Sequence, residues 1–427
     1  MDHHLKYELS GRQIVIWGAR IVGIGLQRSC LVNNISVIGF IDSDPALQER
    51  IINGSRVMKP EEIPNLCNDH GKDKITIVIA VSIKEQEIYS QLISIMPEVN
   101  YNLVNYSDYQ KDFYTIDIVG TCNLKCASCA HSIPNHGVPM GIMRYEEVKA
   151  VIKKIKRESP GSTHVSLYSW GEPLIHPELQ KIIEAFHENG IAVGISTNLS
   201  HEKTEKIDSL IKSAPDYLKI SISGYYPEAY NTTHQGGDIT LVKSNLYRLR
   251  FMLDKSRADT LVDINYHLYR NNNGKNLESM QRLAKELNFS LSTVHALVMP
   301  LERVLNYCKG KGDEQTRILE NNLLVTIKEG IRASSTVEIN DKCPFRENQI
   351  NINADLTVPV CCTVFERDFI VAKNYLKTKL CDINKRKSSA EICKECLKLS
   401  LPQYNMGFNK PMWDKIAGEK LSKDSLS

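Results

Sequence analysis

No stretch of this sequence approaches the roughly 20 uninterrupted apolar residues that a membrane span requires. Its first residues, MDHHLKYELSGRQ, lack the apolar centre of a signal peptide. A cytosolic (cytoplasmic) protein with no membrane partner is the expectation. Charge of one sign is equally scarce, because 53 basic and 50 acidic residues leave a formal net charge of only +3. No Lys/Arg run is interleaved with aromatic residues as a nucleic-acid groove would need, so no nucleic-acid partner is expected. Nor does one hydrophobic core suffice for 427 residues of 42% apolar composition. Two or three domains are expected.

Cysteine, by contrast, is plentiful, with 12 in the chain. In a reducing cytosol that number argues for metal binding or catalysis rather than disulfides. Three fall between Cys122 and Cys129 and six between Cys343 and Cys396, while Cys30, Cys67 and Cys308 stand apart. Two groups suggest two metal centres.

From Arg12 to about Tyr106 the pattern runs strand (14–17), glycine-containing turn, apolar helix, strand (37–41) and a later strand (75–81), as in a small doubly wound sheet. The turn Gly18-Ala19-Arg20-Ile21-Val22-Gly23 matches a nucleotide-binding turn at its first and third glycines, with Arg20 in place of the middle one. Asp42 stands where an acid would meet a ribose hydroxyl. From about 111 to 300, strands at 115–119, 165–168, 192–196, 218–222 and 262–268 alternate with amphipathic helices at 145–156, 177–189 and 277–288. Such repeats predict a parallel barrel or part of one, with its active site at the C-terminal strand ends. The expected layout is a Rossmann-like segment (1–110), the barrel (111–300), a helical connector (301–334), a cysteine-rich domain (335–410) and a tail (411–427) disordered from about Gly418.

The run C-N-L-K-C-A-S-C (Cys122, Cys126, Cys129) follows the strand T-I-D-I-V-G, at a barrel strand's C-terminal end. Thiolates suit zinc or iron-sulfur clusters, and most structural cubanes take four. A cubane held by three leaves one iron open to a substrate bearing an amine and a carboxylate. A zinc site completed by His131 or a distant cysteine is the bland alternative. This spacing resembles the signature of the radical S-adenosylmethionine (SAM) superfamily. The resemblance continues in S-W-G-E-P-L (Ser169 to Leu174), in S-T-N (Ser196 to Asn198) and in S-I-S-G (Ser221 to Gly224) on successive strand ends. It implies an α/β fold with a partial parallel (β/α)6 barrel and a 4Fe-4S cluster on Cys122, Cys126 and Cys129. It also implies SAM contacts from Gly171, Glu172, Pro173, Ser196, Asn198 and Ser221. Trp170 replaces a family glycine, and Ser223 an acid. Taken singly, Asn198 and Ser221 would be helix caps and Gly171-Glu172-Pro173 a turn.

The second group comprises Cys343, the pair Cys361 and Cys362, Cys381, and Cys393 with Cys396. It resembles the SPASM or shorter twitch extension of radical SAM enzymes, in which a hairpin region carries auxiliary 4Fe-4S clusters. One auxiliary cluster on Cys343, Cys361, Cys393 and Cys396 is the expectation. A zinc ribbon on the same residues, and Cys362 in place of Cys361, stay open. Leu356 stands where that hairpin usually has glycine. Cys308 reads as a buried small hydrophobe or as a hydrogen-atom donor to a substrate radical.

The resemblance further implies a flavodoxin or ferredoxin reductant, reductive cleavage of SAM to a 5'-deoxyadenosyl radical, and hydrogen abstraction from a substrate. The N-terminal segment resembles small domains of sugar-modifying acyltransferases in W-G-A-R-I-V-G, G-F-I-D-S-D-P and V-M-K-P-E-E. It implies a carbohydrate or nucleotide-sugar substrate, with Gly18, Gly23 and Asp42 holding the nucleotide. A docking module is the alternative for this segment. The alternatives for the chain are a peptide-modifying maturase, which usually carries a winged-helix domain not seen here, and a non-catalytic iron-sulfur carrier or scaffold.

Overall fold

Runs of β-branched and aliphatic residues set the strands of two sheets, joined by helices whose apolar stripes face them. The computed structural model describes all residues except 72–73, 82–83, 97–101, 134–139, 340–341 and 425–427. The first sheet contains β1 (Gln13–Trp17), β2 (Ser36–Ile41), β3 (Ile51–Ile52), β4 (Ser55–Met58), β5 (Ile75–Ile79) and β6 (Asn102–Asn105). Their order is β3-β4-β2-β1-β5-β6, parallel except between β3 and β4. Residues 14–17 of β1 and 75–79 of β5 are buried throughout, as central parallel strands covered on both faces should be.

The second sheet contains β7 (Phe113–Ile116), β8 (His164–Ser166), β9 (Ala192–Thr197), β10 (Tyr217–Ile222), β11 (Leu261–Leu268), β12 (Ser290–His295) and β13 (Gln349–Ile352). Its order is β12-β11-β10-β9-β8-β7-β13, every pairing parallel. It is an open, partial barrel. The helices between its strands bury one stripe each. In Tyr145–Glu158, Val148, Val151, Ile152 and Ile155 face the sheet, Glu147 caps the Arg144 N–H, and Lys156 and Arg157 close the last turn.

After β12 come the helices Leu301–Cys308, Glu314–Asn322 and Ile327–Ser334. The expected hairpin divides. Its first strand, β13, pairs with β7, because Ile350 and Ile352 continue the main core past the edge of β7. Its second, β14 (Val358–Pro359), pairs antiparallel with β15 (Ile370–Ala372). Leu356 turns the chain between them in the left-handed region at φ 66°. The disordered tail is corrected: Lys410–Asp424 is a helix that buries Trp413 and Ala417 and pairs Lys420 with Glu329. Apolar side chains at Trp413, Ile416, Ala417 and Leu421 recur at helical spacing, which outweighs the Lys/Ser content of this stretch.

Candidate active site at the strand ends

The loop bearing Cys122, Cys126 and Cys129 leaves β7 and is fastened from two sides. Lys125 N–H donates to Gln235 O (2.9 Å) and Ala127 N–H to Thr233 O (3.1 Å), while Met299 N–H donates to Ser128 O (3.1 Å) and Arg303 Nη1 to Ala127 O (3.0 Å). Burial pushes the Cys122 thiol up to about 12 and Cys129 to about 11, and raises Cys126 as well. Each thiol of the Cys122 and Cys126 pair feels the charge of Cys129, so the three are neighbours. Yet no three His, Cys, Asp or Glu side chains converge on a single metal ion among the described residues. Three neighbouring thiols on one loop fit a thiolate-held metal group, whose cationic metal would offset the cost of ionising them.

Glycine is obligatory at 171. A Cβ there would lie 1.6 Å from Val119 O and 3.0 Å from Thr121 O, so the strand end after β8 passes directly against the start of the cysteine loop. Glu172 N–H donates to Thr121 O (2.9 Å), and Pro173 opens the short turn Pro173–Ile175. The Glu172 carboxylate, 2% exposed, accepts from Leu174 N–H (3.0 Å) on one oxygen and from Asn198 N–H (2.8 Å) on the other. The Asn198 side-chain amide in turn donates to Cys122 Sγ (3.7 Å) and to Asn123 Oδ1 (2.9 Å). Ser196 and Ser221 bring their hydroxyls within 3.3 Å of each other. The structure thus gathers Cys122, Gly171, Glu172, Pro173 and Asn198 in one network, with Ser196 and Ser221 as a pair on the neighbouring strands β9 and β10.

Sequence reasoning missed Asp117, just beyond β7. Its buried carboxyl accepts from Trp170 N–H (3.2 Å) and Gly171 N–H (3.2 Å), and burial raises it to about 7. An acid inside the strand T-I-D-I-V was the available signal. The two departures from the family pattern also find places. Trp170 packs edge-on against Phe365, with ring centroids 5.0 Å apart. Ser223, fully buried, bonds to Thr233 and to His234 Nδ1 (2.6 Å), so it fastens the helix Pro227–Thr233 to β10.

Two cavities lie inside the barrel mouth. One, about 390 Å³, runs from Ser128 past His267 and Tyr269 to the C-terminal helix at Trp413. The other, about 420 Å³, runs from Trp170 past Tyr168 and Lys219 to Ile21 and Val22. Met299 lines both.

Cys343, Cys361, Cys393 and Cys396 line a separate, narrow apolar cavity. Burial raises all four thiols, Cys343 to about 12 and Cys393 to about 11. Cys362 is on the other side, facing the barrel cavity. Cys381 is exposed. Cys308 ends its helix half-buried and is not among the residues lining either barrel cavity.

The N-terminal turn faces the barrel. Arg20 donates from Nε to Asp263 Oδ2 (3.1 Å) and from Nη2 to Asp44 (2.7 Å) and Ser292 Oγ (2.7 Å). A Cβ on Gly23 would lie 1.8 Å from Gly18 O, so these two glycines serve the chain's own turn. The Asp42 carboxylate is occupied by the N–H groups of Ala19 and Asp44, both at 2.9 Å. Any ribose contact from Asp42 would share the carboxylate with these two N–H groups. The helix Ile21–Val32 lies against β8 and β9, with Gly25 close enough to Thr163 that a Cβ would meet its carbonyl at 2.8 Å.

Residues 116–262 match the Radical SAM superfamily model, and residues 10–101 match the model described as C2185-like, N-terminal. Among curated proteins, the chain is 26% identical over 227 residues to a GTP 3',8-cyclase of Limosilactobacillus fermentum, covering 48% of this chain and 65% of the relative. It is 27% identical over 147 residues to an S-adenosyl-L-methionine-dependent tRNA 4-demethylwyosine synthase of Pyrococcus horikoshii, covering 34% and 40%. The matched segments therefore span less than two thirds of either relative. Among solved structures, anSMEcpe with bound AdoMet overlays with a TM-score of 0.46 at 16% identity, covering 74% of this chain and 99% of that one. SuiB of Streptococcus suis bound to S-adenosylmethionine overlays with a TM-score of 0.44 at 13% identity, covering 71% and 72%.

Proposed function

The chain carries a radical SAM superfamily domain, and from that premise we propose that it cleaves SAM reductively and removes a hydrogen atom from a small substrate held in the barrel. One arrangement supports this above all: three neighbouring thiols at a strand end, tied through Asn198 to the buried Glu172. Cys122, Cys126 and Cys129 would hold the 4Fe-4S cluster, which when bound would supply the one-electron reduction by which SAM is cleaved to a 5'-deoxyadenosyl radical.

The protein's own groups do the rest. The hydrogen bonds from residues 125, 127, 299 and 303 hold the cysteine loop to the barrel rim, and Asn198 steadies Cys122 by an N–H to sulfur bond, the kind of contact that tunes such a centre. Trp170, Phe365 and Ala130 form an apolar roof that excludes water from the reacting region. The helix Ile21–Val32 closes the lower end, through Ile21 and Val22. Cysteines 343, 361, 393 and 396 would hold the auxiliary cluster. An external flavodoxin or ferredoxin would supply the electron.

For the substrate, cavities of about 390 and 420 Å³ suit a small molecule. Hydroxyl and amide groups from Thr115, Ser166, Ser169 and Gln349 favour a polar one, of which a carbohydrate is one class. The nucleotide-sugar reading of the N-terminal turn draws no support from a turn filled by Arg20 and Asp42.

The test is anaerobic incubation of the reconstituted, reduced protein with SAM, followed by chromatography for 5'-deoxyadenosine. Formation by the natural protein and none by Cys126→Ala is the expected outcome. No 5'-deoxyadenosine from fully iron-loaded protein would sink the proposal.

A further inference from the structure

The barrel cavity near Trp170 holds a cation with no carboxylate to answer it. Lys219 stands on β10 in register with Ser196 of β9 and Asp263 of β11. Asp263 is its natural counter-ion, but that carboxylate is committed elsewhere. One oxygen accepts from Arg20 Nε (3.1 Å) and Tyr217 OH (2.9 Å), and the other from Ser292 Oγ (2.8 Å). Among the described residues, Lys219 forms no ion pair, and its Nζ stands over the Tyr168 ring, 5.0 Å from the centroid. The hydroxyls of Ser166, Tyr168 and Ser169 line the same cavity and make no hydrogen bond to the described residues.

The surroundings leave the charge uncompensated. Burial drives His267 down to about 3 and His234 to about 4, so both rings are neutral, and no Asp or Glu is among the residues lining the cavity. A half-buried ammonium facing unpaired hydroxyls in a 420 Å³ chamber is an incomplete site. The missing component is an acceptor of negative charge, since a charge-assisted bond to an oxyanion is roughly twice as strong as one between neutral groups. Lysine acts there as a point charge and does not select planar from tetrahedral oxyanions.

Taking the barrel cavity as the substrate chamber proposed above, we infer that Lys219, with the hydroxyls of Ser166, Tyr168 and Ser169, forms a subsite for an oxyanion of the substrate, a carboxylate or a phosphate. The Tyr168 ring beneath the ammonium holds it in place when the site is empty. Lys219 lies one inward-facing position deeper in the barrel than Ser221, so this anchor is set below the strand-end network and would hold the far end of the substrate. SAM carries a carboxylate of its own, and the experiment separates the two sources.

The reconstituted full chain with SAM present is titrated calorimetrically with inorganic phosphate and, separately, with acetate, and SAM affinity is measured in parallel. Saturable binding of one of these anions is expected, weakened about tenfold or more in Lys219→Met and restored in Lys219→Arg, with iron content and SAM affinity unchanged. Equal anion binding by Lys219→Met, or no saturable binding of either anion, overturns the inference. So does a parallel loss of SAM affinity, which would assign Lys219 to the cofactor's carboxylate. The same samples are assayed for 5'-deoxyadenosine: lysine-dependent anion binding without that product leaves the subsite standing and removes the radical chemistry.

Discussion

Asp117 sets a dependence of stability on pH whose sign and size can be worked out. Its carboxyl is 3% exposed and meets the backbone N–H groups of residues 169–171 but no cation, and burial lifts it from an ordinary 3.8 to about 7. Between those values the folded chain holds a proton that the unfolded chain has released. Stability from this group is therefore complete below the unfolded value and is lost as pH rises through 7. At about 1.36 kcal/mol per pH unit, reduced near pH 7 where the folded group is half titrated, the loss between pH 5 and 7 is about 2.3 kcal/mol. Melting entropies of about 2.1 cal/mol/K per residue give about 0.9 kcal/mol/K for a chain of 427 residues unfolding as a unit. The melting temperature should then fall by about 2.5 °C across that window from this residue alone. Asp117→Asn reproduces the protonated acid, keeps one acceptor for the N–H groups of residues 170 and 171, and abolishes the linkage. Differential scanning calorimetry of the metal-free full chains at pH 5, 6, 7 and 8 should show the variant gaining on the natural protein as pH rises. Parallel curves for the two proteins would refute a buried, unpaired carboxyl at 117.

Other consequences are as direct. Gly171→Ala would drive a Cβ into Val119 O, at 1.6 Å, forcing the strand end after β8 away from the cysteine loop. SAM affinity, measured by calorimetry on iron-loaded protein, should fall about tenfold or more, as for loss of one or two hydrogen bonds. Arg20→Ala leaves Asp263 with only Tyr217 and Ser292, and should cost about 1–3 kcal/mol in chemical denaturation with faster proteolysis near residues 106–112. A variant with both Cys343 and Cys361 changed to alanine should drop from about eight irons per chain to about four while still forming 5'-deoxyadenosine. Zinc at that site in the natural protein would instead support the ribbon.

Local spacing made the cysteine loop and its companions legible. Cys122, Cys126 and Cys129, Gly171 to Pro173, Asn198 and Ser221 each lie at the end of an apolar strand, and strands buried on both faces announce themselves by unbroken aliphatic runs. Partners distant in sequence hid the rest. Arg20 looked like a defect in a glycine turn because Asp263, its partner, is 243 positions away. In the stretch 217–222, Lys219 marks the polar face of β10, but alternation alone cannot say that this face lines a chamber rather than meeting solvent. The acid at 117 stood out within its strand, but its role was hidden for the same reason, the donors at residues 170 and 171 being 53 and 54 positions downstream. Register across the sheet, set by tertiary packing, decides all three.

Cys361 and Cys362 are consecutive, yet one lines the narrow four-cysteine cavity and the other the barrel chamber. The chain turns at these two residues just after β14, so that consecutive side chains face different compartments and the partition here is a single residue thick. A wall that thin makes the two rooms electrically close neighbours. Any charge formed on a molecule beside Cys362 would be felt at the four thiols, and an electron passing between the compartments would cross one peptide's width and no intervening layer of core.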